Sequence, residues 1–357
     1  MRPLRDFLQI GAAAVGIDIG KSAIKVAEVR RTARGIELRR FGVVPTPPGS
    51  VEGGLILDQQ AVASTIRDVL RHAGVRTRRA VVSVTGQNVL ARVLRLPPIP
   101  PEEVKQAIRW EAERHLPFPI DEAVIDVQTV REVTENGVRQ LEVLLAAAPE
   151  ALVLTHIRTL EGASLVVDAV EVGALAMARG LGQTEAEGTH VLVNLGASTT
   201  DIAVVHDGVP QFTRTILLGG DALTRVITQL LKADVAAAEE AKILYGLGWE
   251  EGPENLPEGA YATDVSQALA ELITQVRRSL DFFRAQFTGV VISDMILCGG
   301  GSRLRHLDHH LSNELELPVT IAHPLVHVRA PSRQEQAAQA VAPQLAVATG
   351  LALRTVA

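Results

Sequence analysis

Val15-Gly-Ile-Asp-Ile-Gly-Lys-Ser-Ala-Ile-Lys-Val-Ala-Glu-Val29 decides the reading of this chain. Two strand-like runs, Val15 to Ile19 and Ile24 to Val29, flank a tight group holding an acid, a glycine, a hydroxyl and a lysine. Alternating apolar residues argue for a hairpin, and a glycine supplies the positive φ that tight turns use. Asp18 sits in an otherwise apolar strand, where a carboxylate without a partner is costly. It therefore asks for a cation or an ordered water. Read alone, the segment is an ordinary hairpin or one half of a nucleotide clamp.

Outward from it, Ile36 to Val43 adds a third strand after the turn Thr32-Ala-Arg-Gly35. Pro45 to Gly54 is a loop by composition. Asp58 then caps a helix with Val62, Ile66, Val69 and Leu70 on one face, and Gly74 ends it. From Ala80 come short strands, a proline group at Pro97 to Pro101, and a helix from Glu102 to Leu116. Two strands joined at Asn136-Gly137 and a helix from Pro149 to Leu160 complete an α+β insertion. A strand and helix over Leu165 to Gly180 precede a polar linker, Gln183 to Gly188. A second meander follows, with His190 to Leu195, Thr200 to His206 and Gln211 to Leu217 as its strands. Asp221 to Phe287 is mainly helical, with Leu269, Leu272, Val276, Leu280, Phe283 and Phe287 on one core-spaced stripe. The chain closes with an alanine-rich helix from Gln344 to Leu353.

At 357 residues and 47% apolar the chain can fill two cores. A net charge of -6 over mixed signs leaves no basic field for nucleic acid. Cys298 is the only cysteine, which excludes an internal disulfide and a cysteine-based metal site and fits a reducing compartment. The N-terminus imitates a secretion leader, but Asp6 interrupts its short apolar run; Met1 to Gln9 is expected to fray. No apolar run nears the roughly 20 residues that span a bilayer, so a soluble cytoplasmic protein meeting the membrane only through partners is expected.

The opening stretch has an echo. Ile17-Asp-Ile-Gly-Lys-Ser-Ala-Ile-Lys-Val-Ala-Glu-Val29 lies without gaps over Val193-Asn-Leu-Gly-Ala-Ser-Thr-Thr-Asp-Ile-Ala-Val-Val205, with Gly20 over Gly196 and Ser22 over Ser198. Two such hairpins suggest two related halves facing each other. Their glycine-rich turns expose N–H groups that can cradle phosphate oxygens. The candidates are Gly20, Lys21 and Ser22 on one side and Gly196, Ala197, Ser198, Thr199 and Thr200 on the other. Lys25 can add charge, and Asp18 can orient metal-bound water. A third element, Ile296-Leu-Cys-Gly-Gly-Gly-Ser-Arg-Leu304, runs a strand into Gly299, Gly300, Gly301 and Ser302, where backbone can approach a flat ligand. Neither a P-loop nor a dinucleotide fingerprint is present.

These three elements, in this order, resemble the actin-like ATPase superfamily, whose α/β fold is a duplicated, ribonuclease H-like pair of domains. The hairpins look like its phosphate loops and Cys298 to Ser302 like its adenosine loop. Val167 to Ala176 is similar to the first connecting helix, in which Glu171 matches the acid near the attacking water. Gly219-Gly220-Asp221 resembles the glycine pair after the second meander. Ala238 to Lys242 resembles the ribose-side helix, with Glu239 and Lys242 as contacts, and Ala346 to Ala352 the second connecting helix. The insertion resembles that of the FtsA/PilM branch, and Leu96 to Ala123 is similar to the PilM family of type IV pilus assembly.

The resemblance implies subdomain 1A over 1–79, 165–188 and 336–357, an inserted 1C over 80–164, 2A over 189–225 and 288–335, and 2B over 226–287. It implies ATP with Mg2+ between the halves. It also implies a groove between the first domain and the insertion for the cytoplasmic N-terminal tail of the membrane protein PilN. Other inner-membrane pilus proteins, the assembly ATPase and further copies of the chain are additional implied partners. Trp110 falls outside the inner stripe of its helix, so it either packs at the edge against Pro117 and Phe118 or anchors a partner peptide. One departure stands out. The second phosphate loop usually begins with an aspartate, here Asn194, and Asp201 does not replace it in the alignment. Slow or absent ATP hydrolysis is therefore expected. Two rivals remain, a small-molecule kinase on the same fold and an FtsA-like filament protein; the latter is expected to end in an amphipathic helix, which does not follow Ala357 here.

Overall fold

The computed structural model describes residues 14–356 apart from 136, 249–252, 254, 255, 258, 288, 327 and 331–333, so the N-terminal leader lies outside the described residues. β1 (Val15–Ile19), β2 (Ala23–Thr32) and β3 (Gly35–Pro45) form the first antiparallel meander. The loop after it carries a small hairpin, β4 (Val51–Glu52) and β5 (Leu55–Ile56). α1 (Gln59–Ala73) begins where the Asp58 side chain accepts the Ala61 N–H and ends where Gly74 turns left-handed at φ +70°. β6 (Arg79–Val84) follows, then the insertion with β7 (Leu90–Leu96), α2 (Pro101–Glu113), β8 (Ala123–Glu135) and β9 (Val138–Pro149). The chain returns through α3 (Glu150–Gly162), β10 (Val166–Val172) and α4 (Gly173–Gly180).

The second half opens on β11 (Thr189–Leu195), β12 (Thr200–His206) and β13 (Val209–Ile216), followed by α5 (Gly220–Leu231), α6 (Val235–Tyr245) and α7 (Ala260–Gln286). It continues with β14 (Asp294–Cys298), α8 (Leu307–Leu315) and β15 (Val319–Ile321), and α9 (Glu335–Val341) and α10 (Ala346–Leu353) end the chain. The apolar stripe of α7 lies in the second core with Val193, Ile202 and Met295. No helix among the described residues is long and apolar enough to cross a membrane.

The duplication extends far beyond the hairpins. In the first sheet the order is β3-β2-β1-β6-β10, with β6 parallel to both β1 and β10. The second sheet repeats it as β13-β12-β11-β14-β15, with β14 parallel to both β11 and β15. One boundary differs from expectation. Ala80 to Val84, read as opening the insertion, is the strand between β1 and β10. Its Ala80, Val81, Val82 and Val84 are all buried, as an interior parallel strand requires. Likewise α3, read as closing the insertion, packs on α1 and puts Leu160 into the first core.

The insertion has its own core of Leu94, Leu96, Val104, Ile108, Leu141, Val143 and Leu145. Although it departs from the first domain, its sheet joins the second. β7 lies beside β13, with Phe212 opposite Arg92, so β7, β9 and β8 extend the second sheet to eight strands. The seam is narrow. The Thr213 hydroxyl accepts the Ala91 N–H at 2.8 Å and donates to the Ala91 carbonyl at 3.0 Å.

The two halves meet where α4 crosses α10. A Cβ on Gly350 would overlap the Ala176 carbonyl oxygen, and one on Gly180 the Ala346 carbonyl oxygen. Gly16 of β1 is closed off in the same way by Ala348. Gly350→Ala is therefore expected to destabilise the protein by about 2 kcal/mol or more, as overpacking at a rigid contact does. Denaturant melting that leaves the Gly350→Ala midpoint unchanged would show that this crossing has slack.

Candidate functional site

The two hairpins repeat in register as well as in sequence. Asp18 of β1 lies opposite Lys25 of β2, and Asn194 of β11 opposite Asp201 of β12. The turn bonds match, with the Gly20 N–H donating to Ala23 O at 3.1 Å and the Gly196 N–H to Thr199 O at 2.9 Å. Neither glycine has the positive φ expected of it. Close approach to backbone is the reason instead: a Cβ on Gly196 would lie 2.9 Å from Thr199 O, and one on Gly20 3.1 Å from Ala23 O beside the movable end of Lys25. Among the described residues the N–H groups of Lys21, Ser22, Ala197 and Ser198 have no protein acceptor, so each turn offers two adjacent donors.

Lys21 bridges the two halves. Its Nζ lies 2.6 Å from Asp221 Oδ2, at the start of α5 in the second half, and 2.8 Å from Glu52 Oε2 on β4 in the first. Partial burial lowers the Lys21 pKa, but the hydrogen bonds to Asp221 and Glu52 outweigh it and raise the value. The Gly220 and Asp221 N–H groups are not open to a ligand, because they donate to Gly196 O and Ala197 O, each at 2.9 Å. Gly219 is small for the same reason: a Cβ there would lie 2.6 Å from Gly196 O. The glycine pair thus straps α5 to the second turn.

Beneath the turns lies a cluster of charge. Asp18 Oδ2 accepts from Lys25 Nζ at 3.0 Å and Oδ1 from Ser83 at 3.4 Å. Asp201, only 5% exposed, accepts from Thr215 at 2.7 Å and from the Asn194 amide at 3.2 Å. Burial pushes the Asp201 carboxyl up to about 6, against the pull of Thr215 and Asn194; nearby Asp18 adds to the rise and Lys25 opposes it. Charges from both halves therefore share one cluster. The glycine loop closes over it, with Gly299 at φ +87° and no room for a Cβ beside Asn194 and Leu195. At Gly300 a Cβ would meet nothing within 4 Å.

Other candidates have structural work. Thr200 donates its hydroxyl to Leu218 O at 2.7 Å and Ser302 to Gly299 O at 2.8 Å, and both are fully buried. Each ties its loop down. Lys242 donates to Glu239 at 2.6 Å and Thr224 at 2.9 Å, which sets the Glu239–Lys242 pair at the first turn of α5. Asp201, Asp221 and Glu52 are the residues sequence reasoning missed. For Asp201 the signal was available, because the gapless overlay places it on Lys25, the partner of Asp18. No group of three or more His, Cys, Asp or Glu suited to a metal ion occurs among the described residues.

Glu171 is not part of this assembly. It lies in β10 rather than in the connecting helix, is 6% exposed, and receives Arg179 through both oxygens at 2.6 and 3.0 Å. Arg354 approaches it at 3.6 Å, and Arg179 also donates to Gly350 O at 2.9 Å. This triad closes one end of a groove of about 430 Å³. The walls come from three places: Val170 and Leu175 of the first domain, Leu144 and Ala146 of the insertion, and Gly208 to Pro210 of the second domain. Trp110, Pro117 and Phe118 do not line it. Along β9, Leu141, Val143 and Leu145 face α2, so Leu144 and Ala146 point to the opposite face, where the groove lies. Trp110, 71% exposed, is therefore across the insertion sheet from the groove.

Comparison with known proteins places this architecture. The structure of a PilM-PilN type IV pilus biogenesis complex is similar at 31% identity and a TM-score of 0.83, covering 97% of this chain and 99% of that one. The ethanolamine utilization protein EutJ from Carboxydothermus hydrogenoformans, at 16% identity and a TM-score of 0.57 over 96% of this chain and 90% of its own, and MreB5 of Spiroplasma citri, at 13% and 0.53 over 96% and 95%, share the actin-like fold. The cell division protein FtsA of Pseudomonas aeruginosa is 25% identical over 89% of this chain and 84% of its own length. The family described as type IV pilus assembly protein PilM matches residues 16–356. From Gly16 to Val356, on an actin-like fold, this chain belongs to the PilM family of type IV pilus assembly proteins.

Proposed function

We propose that this chain is a nucleotide-binding adaptor of the type IV pilus inner-membrane assembly platform, cytoplasmic and held at the membrane through its partners. The observation that carries the nucleotide reading is the pair of matched turns, each with two N–H donors lacking a protein acceptor, on either side of Lys21 and Lys25. That donor set fits a polyphosphate, and the open space at Gly300 fits a flat group beside it. Asp18 would hold Mg2+ through water. Lys21 and Lys25 of the first half and the turn N–H groups of both halves would receive the negative charge that Mg-ATP would supply when bound.

Turnover is less well provided for. Glu171 is saturated by Arg179 and Asn194 is neutral, so neither is free to activate a water. The nucleotide then acts as a conformational ligand. Because the groove walls come from both domains and the insertion, any change in domain angle alters the groove. The occupant of that groove is the cytoplasmic N-terminal tail of PilN, a reading supported by the likeness to a PilM solved with PilN. The groove is lined mainly by small and aliphatic residues such as Ala146, Ala148, Val170 and Leu175, which suits a narrow, extended segment.

Two measurements test this. Gly300→Val puts bulk into open space, so its melting temperature should match the parent while its ATP affinity falls at least about tenfold, one contact's worth of free energy. Unchanged affinity would remove the glycine loop from the site. Ala146→Trp fills the groove floor and should weaken capture of a PilN tail peptide by at least about tenfold, whereas Trp110→Ala should leave it intact. The reverse pattern would move the partner site to α2.

A further inference from the structure

Overlaying the two hairpins shows an exchange. The first carries its acid on the inner strand and its cation opposite, as Asp18 and Lys25; the second carries an amide on the inner strand and its acid opposite, as Asn194 and Asp201. Directly paired residues of neighbouring strands point to the same face, so moving an acid between them displaces it by only about one strand spacing, ~5 Å. The second half has thus kept a carboxylate in the cleft by placing it across the strand pair.

Charge counting gives that carboxylate a purpose. Asp18 and Lys25 form an ion pair at 3.0 Å and cancel, which leaves Asp201 as the uncompensated charge of the three. Burying such a charge is costly, and the Thr215 and Asn194 hydrogen bonds soften the cost without neutralising it. Arg214, next to Thr215 on the paired strand, sends its guanidinium away to Ser279 and Gln275. Beside Asp201, between Thr85 and Gly173 of the first half and Thr215 of the second, lies a void of about 10 Å³, room for a single water.

We propose that Asp201 supplies the second cleft carboxylate to the divalent cation that accompanies a bound nucleotide, acting through water, and that Asn194 is its positioning residue. This rests on the nucleotide reading above. The amide at 194 holds the Asp201 side chain by donating to it, and the cation restores the charge balance that Lys25 gives Asp18.

The test is the gain in nucleotide affinity that Mg2+ confers, measured by titrating the full chain with ATP in Mg2+ and again in EDTA. Asp201→Asn is expected to reduce that gain by about tenfold, the size of effect seen when groups around a metal are removed. Its affinity in EDTA should stay near that of the parent, whereas a purely structural role would lower both affinities alike. The exchanged variant, Asn194→Asp with Asp201→Asn, keeps the cross-strand hydrogen bond with donor and acceptor reversed, and should recover the gain. Asp201→Asn with an undiminished gain overturns the proposal, as does equal loss with and without Mg2+. If Asp201→Asn does not fold, Asp201→Ser, which removes the charge and keeps a polar partner for Asn194, is read in the same way: a diminished gain supports the assignment and an undiminished one overturns it. A parent chain that binds no ATP in either buffer would instead overturn the nucleotide reading itself.

Discussion

Where α4 crosses α10, backbone touches backbone. Gly180 and Gly350 leave no side chain between the helices, and Gly16 lets α10 settle equally close onto β1. Contacts of that kind have no rotamers to adjust, so they hold the pivot that sets the angle between the two duplicated sheets. The cleft between the hairpins follows from that angle. Lys21 can reach Asp221 across it only because the first turn and the start of α5 are presented on opposite lips.

The same crossing also sets one end of the groove. Arg179 belongs to α4 and Arg354 follows α10, and both converge on Glu171 while Arg179 takes the Gly350 carbonyl. An acid that resembles a catalytic residue in sequence thereby serves as the pin that holds strand, first helix and last helix together. Breaking one partner of such a buried pair leaves the other charge without compensation, which makes the pin rigid rather than optional. Cleft and groove are separate in space, but they share a hinge.

Much of this was legible beforehand. The hairpin repeat, the Asp58 cap, the Gly74 stop and the apolar stripe of α7 are local signals, readable from spacing alone, and each is present. What escaped were features set by long-range packing. β6 looked like part of the insertion because its neighbours in sequence are; only pairing with β1 and β10 reveals it as an interior strand. For Trp110 the sequence left edge packing and a partner anchor both open, and only the alternation of β9 shows that it stands across the insertion sheet from the groove. Asp201 was dismissed by alignment column, whereas cross-strand register is the coordinate that matters for a carboxylate facing a cleft.

The seam between β7 and β13 has a kinetic consequence. Ordinary ladder amides are shielded by many neighbouring bonds, but the Ala91 N–H is held by the hydroxyl of Thr213 at a junction with a single paired position. Ala91 is also buried in the core that includes Ala203 and Val205, so exposing that proton requires the insertion and the second sheet to part. One amide proton, followed by its rate of exchange with deuterium, therefore reports the opening of that seam.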